Sequence, residues 1–109
     1  MDTTEIDVDE LAARLEAGAV LIDVRRPDEH EAAHILEATL IPLDEVPDRA
    51  DEIPSDREVL VICRSGGRSA SACEFLNGQG HRAVNVAGGM LAWIDAGQPW
   101  SGTASGAGE

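Results

Sequence analysis

Short apolar runs alternate along this chain with segments whose apolar residues recur at helical spacing. Residues 20–24 and 59–63 are nearly continuous apolar runs, which predict strands buried on both faces. Shorter runs at residues 39–41 and 83–86 predict two further strands. The alternation predicts an α/β fold in which a central, mostly parallel sheet carries helices on both faces.

Helix signals fill the segments between the predicted strands. Asp7 and Glu10 form a capping-box pattern that opens a helix, and Gly18 is placed to end it. Further helices are predicted near residues 28–34, 43–53, 68–77 and 90–93. Each of these helices is short enough to connect two neighbouring strands of a single sheet.

Length and composition favour one compact domain. The chain has 109 residues, of which 43% are hydrophobic and 3% aromatic, so a core must be built mainly from aliphatic side chains. The segment 101–109 consists of Ser, Gly, Ala and Thr with a terminal acid, a composition typical of mobile termini. We therefore expect a domain over residues 1–100 and a disordered tail over residues 101–109.

The compartment is suggested by the first residues and by the cysteines. The N-terminus is acidic and resembles no signal peptide, and no apolar run approaches the roughly 20 residues that a membrane-spanning helix needs. Two cysteines without an export signal favour free thiols in a reducing compartment. We expect a cytoplasmic protein that does not bind a membrane.

Charge is distributed unevenly along the chain. The whole net charge of -13 arises in residues 1–58, which hold 18 acids and 5 arginines, whereas residues 59–109 hold 3 of each sign. The chain contains no lysine. We expect no nucleic-acid partner for such a surface, because phosphate binding needs clustered Lys and Arg. An anion would instead be attracted to the locally basic segment that begins at Cys63.

That segment follows the second long apolar strand. It runs Cys63-Arg64-Ser65-Gly66-Gly67-Arg68-Ser69. Ligands of open α/β sheets bind outside the carboxyl ends of the strands, where Cys63 falls. The two glycines permit a tight turn whose amides, together with the start of the next helix, form an anion cradle that favours thiolate over thiol. We expect Cys63 to be an accessible nucleophile; the alternative is an inert core residue at the end of a strand.

The segment resembles the active-site loop of the rhodanese family of sulfurtransferases. Leu21-Ile22-Asp23-Val24-Arg25, followed by Glu29, resembles the first signature of the family, and Gly88-Gly89 with Trp93 resembles its closing signature. The three motifs occur in the family's order and cover about residues 5–98. The resemblance implies a three-layer rhodanese-like domain without a cofactor or a metal.

The resemblance also implies roles for particular residues. Cys63 would accept a sulfane sulfur as a persulfide and pass it to a thiol or to cyanide. The implied binding residues are Arg64, Ser65, Gly66, Gly67, Arg68 and Ser69. Asp23 and Arg25 would support the loop, although an ion pair without a chemical role is equally compatible with their positions. The implied partners are a small anionic sulfur donor and, as a second option, a protein that donates or accepts sulfur.

Two other functions share parts of this pattern. Cysteine-based phosphatases and arsenate reductases place an arginine six residues after the cysteine, whereas Arg68 comes five residues after Cys63 and position 69 is a serine. A non-catalytic rhodanese-like module that binds a partner or senses redox state is the other alternative, although such modules commonly lack the cysteine. The family pattern Gly-His-Ile-Pro-Gly-Ala is also altered, to Ala33-His34-Ile35-Leu36-Glu37-Ala38.

Two further features are assigned to structure rather than to function. His30-Glu31-Ala32-Ala33-His34 matches the HExxH pattern of zinc proteases, but Pro27 and the strand expected near Thr39 leave only about two helical turns there. No third ligand is apparent in the sequence, so we expect no metal. Cys73 lies on the helix after the loop and is expected to pack as a small core residue.

Overall fold

A five-stranded parallel sheet forms the centre of the molecule in the computed structural model, which describes residues 4–104. Its strands are β1 (Glu5–Ile6), β2 (Val20–Asp23), β3 (Thr39–Leu40), β4 (Glu58–Ile62) and β5 (Arg82–Val86). They lie in the order β1-β5-β4-β2-β3, and every neighbouring pair is parallel. The central position of β4 places the residue that follows it, Cys63, at the middle of the carboxyl edge of the sheet.

Helices connect the strands and cover both faces of the sheet. They are α1 (Val8–Glu16), α2 (Pro27–Ala32), α3 (Val46–Arg49), α4 (Gly67–Gly78) and α5 (Gly89–Asp95). The predicted start of α1 is confirmed, because the Asp7 side chain accepts a hydrogen bond from the Glu10 amide at 2.9 Å. The predicted α/β architecture is confirmed as well.

Two details differ from the sequence-based expectation. Strand β1 was not predicted, because a two-residue strand carries too few positions to show an apolar pattern. The helix predicted over residues 43–53 is broken into 3₁₀ turns at Leu43–Glu45 and Ala50–Glu52 on either side of the single turn of α3. Pro47 lies inside this segment and lacks the amide that a continuous helix would use there.

Successive residues of β4 alternate between two apolar clusters. Val59 and Val61 join the cluster under α4, and Leu60 and Ile62 join the cluster under α1 and α5. All four side chains are fully buried. The loop after β4 therefore starts from the most completely enclosed strand of the sheet.

The last residues of the described chain return to the segment after α2. Ser101 and His34 form an antiparallel bridge with two backbone hydrogen bonds of 2.8 Å. The first residue of the predicted tail is therefore paired, and residues 105–109 lie outside the described part of the chain. None of the helices within residues 4–104 has the length and apolar character needed to cross a membrane.

Candidate active site

The sulfur of Cys63 lies at the bottom of a turn of backbone amides. The Gly66 amide donates to Cys63 Sγ at 3.1 Å, and α4 begins at the next residue. Gly66 is the N-cap of α4 with φ of 113°, a conformation that side chains with a Cβ rarely adopt. The glycine thus lets the chain turn tightly enough for an amide and a helix N-terminus to face one sulfur atom.

Burial and hydrogen bonding act in opposite directions on the Cys63 thiol. Burial raises the pKa of Cys63, but the Ser69 hydroxyl and the backbone amides of Ser69, Gly66 and Ser65 lower it further than burial raises it. The net pKa lies below the ordinary value of a cysteine. The turn therefore favours the nucleophilic thiolate, as a site for anionic sulfur chemistry requires.

Cys63 is less exposed to solvent than the sequence suggested. We expected an accessible thiol, but Cys63 is only 1% exposed. The reason is that the turn and the start of α4 close around the sulfur while they supply the hydrogen bonds. The exposed residues of the same loop, Arg64, Ser65 and Gly67, form what we call its mouth.

Arg68 connects the start of α4 to α2. Its guanidinium binds both carboxylate oxygens of Glu29, at 2.7 and 2.9 Å. This contact lowers the pKa of Glu29 to about 2, since the hydrogen bond from Arg68 outweighs the opposing effect of burial. The family resemblance placed Arg68 among the implied binding residues, whereas this geometry favours a role in holding the loop in place.

Arg64, Ser65 and Gly67 form the exposed rim of the loop. Within residues 4–104, the Arg64 side chain makes no hydrogen bond or salt bridge. Its guanidinium is therefore available to attract an anion to the mouth above Cys63. This leaves Arg64, rather than Arg68, as the arginine of the loop whose charge faces solvent unpaired.

Asp23 and Arg25 form a buried ion pair at the end of β2. Arg25 donates through Nη2 to Asp23 Oδ2 at 2.7 Å, and the two side chains are 5% and 0% exposed. Arg25 also donates to the carbonyl oxygens of Glu29 at 3.3 Å and Ala33 at 2.6 Å. The pair therefore holds the first turn and the C-terminal end of α2, and Glu29 of that helix contacts the cysteine loop through Arg68.

The N-terminus of α5 holds the cysteine loop from the other side. The amides of Met90 and Leu91 donate to the carbonyl oxygens of Cys63 and Arg64, at 2.9 and 3.1 Å. A Cβ at Gly89 would lie 2.4 Å from the Cys63 carbonyl oxygen, so only glycine permits this approach. The second glycine of the Gly-Gly pair therefore contributes directly to the position of the loop.

Sequence reasoning missed Asn85 of β5, which is 1% exposed. Its Nδ2 donates to the Gly66 carbonyl at 3.2 Å and to Glu5 Oε2 at 2.9 Å, while its Oδ1 lies 2.5 Å from Ser69 Oγ. An amide within an apolar buried strand needs such partners, because burial without hydrogen bonds is costly. A lone Asn between Val84 and Val86 was the available signal.

The features set aside in the sequence have structural positions. Helix α2 ends at Ala32, before the second histidine of the HExxH match, and the two imidazole rings stack with their centroids 4.2 Å apart. His30 Nδ1 lies 3.1 Å from Asp23 Oδ2. The part of the chain that the structure describes contains no group of three or more metal-ligating side chains. Cys73 is fully buried, and burial raises its pKa to about 12.

Comparisons with known proteins agree with this fold. The family described as the rhodanese-like domain matches residues 7–96. A sulfurtransferase of Allochromatium vinosum is 42% identical over 98 residues, which covers 87% of this chain and 92% of that protein. The thiosulfate sulfurtransferase GlpE of Pseudomonas syringae is 36% identical over 81% of this chain and 84% of its own length.

A solved structure shows the same architecture. The rhodanese-related protein of Thermoplasma volcanium has a TM-score of 0.85 and 34% identity, over 90% of this chain and 97% of that one. The residues that match the rhodanese-like domain, 7–96, include the strand β4, the cysteine turn and the Gly-Gly segment. The chain therefore belongs to the rhodanese-like domain family.

Proposed function

We propose that this chain is a sulfurtransferase that carries a sulfane sulfur on Cys63. The observation that carries the proposal is the convergence of amide and hydroxyl donors on Cys63 Sγ at the start of α4. These donors stabilise a negative sulfur without supplying an acid strong enough to protonate it. Two of the relatives described above are named sulfurtransferases, which supports the same reaction class.

The proposed reaction has two displacements. The Cys63 thiolate attacks the outer sulfur of thiosulfate; a new S–S bond forms while the S–S bond of thiosulfate breaks, and its electron pair leaves with sulfite. An acceptor thiolate, or cyanide in the test tube, then attacks the outer sulfur, and the electron pair of the S–S bond returns to Cys63. Arg64 attracts the anionic donor to the mouth, while the loop amides hold the negative sulfur.

The geometry of Arg68 disfavours a phosphatase or an arsenate reductase. In those enzymes the loop arginine helps to enclose a tetrahedral oxyanion, whereas both carboxylate oxygens of Glu29 hold the Arg68 guanidinium here. A short loop with an occupied arginine suits the single outer sulfur of a persulfide better. Turnover of an aryl phosphate that disappears in Cys63→Ser would overturn this choice.

Sulfur loading can be measured directly by intact-mass spectrometry. We expect thiosulfate to add one sulfur atom, about 32 Da, to the native chain, and cyanide to remove it. Cys63→Ser should not load, whereas the matched variant Cys73→Ala should load normally, because Cys73 is buried and its thiol has a pKa of about 12. Failure to load from thiosulfate, persulfide and mercaptopyruvate would contradict the proposal and favour a non-catalytic module.

A further inference from the structure

Asn85 lies beneath the candidate active site with a fixed orientation. Both partners of its Nδ2, the Gly66 carbonyl and the Glu5 carboxylate, accept hydrogen bonds and cannot donate them. A rotated amide would bring Oδ1 against these two oxygens, so the orientation with Oδ1 toward Ser69 is the one that the contacts permit. Asn85 therefore offers Ser69 an acceptor.

The Ser69 hydroxyl has two acceptors in reach and one proton to give. Its Oγ lies 2.5 Å from Asn85 Oδ1 and 3.3 Å from Cys63 Sγ, and Ser69 is fully buried. While Cys63 is a thiol, its S–H can donate to Ser69 Oγ and the hydroxyl can donate to Asn85, so that every group is satisfied. The thiolate has no proton to give and needs the hydroxyl proton for itself. Asn85 and the Cys63 thiolate thus compete for one proton.

We propose that Asn85 is a positioning residue that controls the charge state of Cys63 through the Ser69 hydroxyl. When Cys63 loses its proton to solvent, the hydroxyl turns from Asn85 Oδ1 to Sγ, and Asn85 loses a hydrogen bond. When sulfur is loaded, the negative charge moves to the outer sulfur, and the hydroxyl can return to Asn85. The empty thiolate is therefore the state that Asn85 disfavours.

The destabilisation of the Cys63 thiolate by Asn85 has a use in sulfur transfer, and to that extent the inference rests on the proposed function. A thiolate that is strongly stabilised is a weaker nucleophile, and the best attacking thiol has a pKa near the ambient pH. The amides of the loop and the start of α4 stabilise the Cys63 thiolate, and Asn85 limits that stabilisation. This role would explain why a polar residue, Asn85, lies in an apolar strand, in addition to its hydrogen bond to Gly66.

Other ionisable groups also face the cysteine and must be held constant in a test. Arg68 and Cys73 of α4 interact electrostatically with Cys63. Asp23 of β2 acts on Arg68, and Glu5 of β1 acts on Cys73. Substitutions at Asn85 and Ser69 change none of these charges, so they isolate the hydroxyl.

The test is the pH dependence of Cys63 alkylation by iodoacetamide, measured in a Cys73→Ala background. Ser69→Ala removes a donor to the thiolate, and the midpoint pH should rise. Asn85→Val, whose side chain suits a strand between two valines, frees the hydroxyl for the thiolate, and the midpoint should fall by about half a unit to one unit. The double variant should have the midpoint of Ser69→Ala, because Asn85 has no other route to the sulfur in this scheme.

A merely structural Asn85 predicts a different pattern. Loss of the bond to Gly66 would loosen the turn, so Asn85→Val would raise the midpoint, and its effect would add to that of Ser69→Ala in the double variant. Either result would overturn the inference. Asn85→Ala serves as a second variant of smaller volume, with circular dichroism to verify folding.

A measurement on the native chain needs no substitution at Asn85. The ¹³Cγ chemical shift of Asn85 should change with pH at the same midpoint as Cys63 alkylation, since its Oδ1 loses a donor at that point. A shift that stays constant through the alkylation midpoint would contradict the inference. None of these readouts requires sulfur transfer, so a chain that alkylates as described but loads no sulfur would refute the proposed function alone.

Discussion

Removal of the charge of Glu29 tests how the cysteine loop is held. In Glu29→Gln the side chain keeps an oxygen that can accept the Arg26 amide, with which Glu29 Oε1 now forms a 3.0 Å hydrogen bond. The variant loses the charged, two-point contact with Arg68 across 39 positions of the chain. The perturbation is therefore confined to the ion pair between α2 and the start of α4.

The expected loss follows from the pKa of Glu29. A change from 4.5 to about 2 is about 2.5 units, or roughly 3 kcal/mol at about 1.4 kcal/mol per unit. The side chains of Glu29 and Arg68 are 18% and 34% exposed, so solvent screening reduces this to about 1–2 kcal/mol of the free energy of unfolding. We therefore expect the free energy of unfolding of Glu29→Gln at pH 7 to be lower than that of the native chain by about 1–2 kcal/mol.

The same pKa fixes the pH dependence of the loss. Because the folded-state pKa lies below the ordinary value, the unfolded chain binds a proton at higher pH than the folded chain does. The contribution of Glu29 is therefore complete above about pH 4.5 and disappears as the pH falls through about 2. The difference in unfolding free energy between native and Glu29→Gln chains should shrink over that interval.

Urea unfolding of both chains at several pH values between 7 and 2 measures this difference. Glu52→Gln is the matched control, because Glu52 also binds an arginine, Arg49, but its side chain is 53% exposed. We expect no measurable change for the control at any pH. Equal stability of Glu29→Gln and the native chain at pH 7, or a loss that persists unchanged at pH 2, would refute the argument.

Two further predictions concern other contacts of the loop and of α2. Gly89→Ala should destabilise the fold by at least about 2 kcal/mol, because its Cβ would lie 2.4 Å from a loop carbonyl oxygen; Gly78→Ala, with open space around its Cβ, should be neutral or slightly stabilising in thermal unfolding. Asp23→Ala should cost about 3–5 kcal/mol, because it leaves the buried Arg25 charge without its partner. The control is Asp28→Ala, which removes the exposed partner of Arg26 and should leave the midpoint of urea unfolding unchanged.

The parts of the fold that the sequence predicted are those encoded locally. A strand buried on both faces needs a continuous apolar run, so β2 and β4 were recognisable from composition alone. The helix cap at Asp7 involves residues three positions apart and was equally visible. The cysteine turn belongs to this class, because its glycines and arginines are contiguous.

The contacts that were not predicted join distant parts of the chain. Glu29 reaches Arg68, and Asn85 reaches Gly66 and Ser69 from a neighbouring strand. The first contact exists only after β2 and β4 lie side by side, and the second only after β4 and β5 do, so no local pattern specifies the partner.

The altered segment after α2 is compatible with an intact site because of where its changed residues lie. Ile35 keeps its buried position, at 1% exposure, and the backbone of His34 is paired with Ser101. Ala33, one of the three substituted positions, contacts Arg25 through its backbone carbonyl, a group that glycine also has. The other two, Leu36 and Glu37, are exposed, and Leu36 is 76% exposed. The loop itself is held by α5, by Asn85 and by the Glu29–Arg68 contact, none of which involves these two residues. The departure from the family pattern therefore changes a surface near α2. The hydrogen bonds to Cys63 come from Gly66 and Ser69 and do not involve the altered segment.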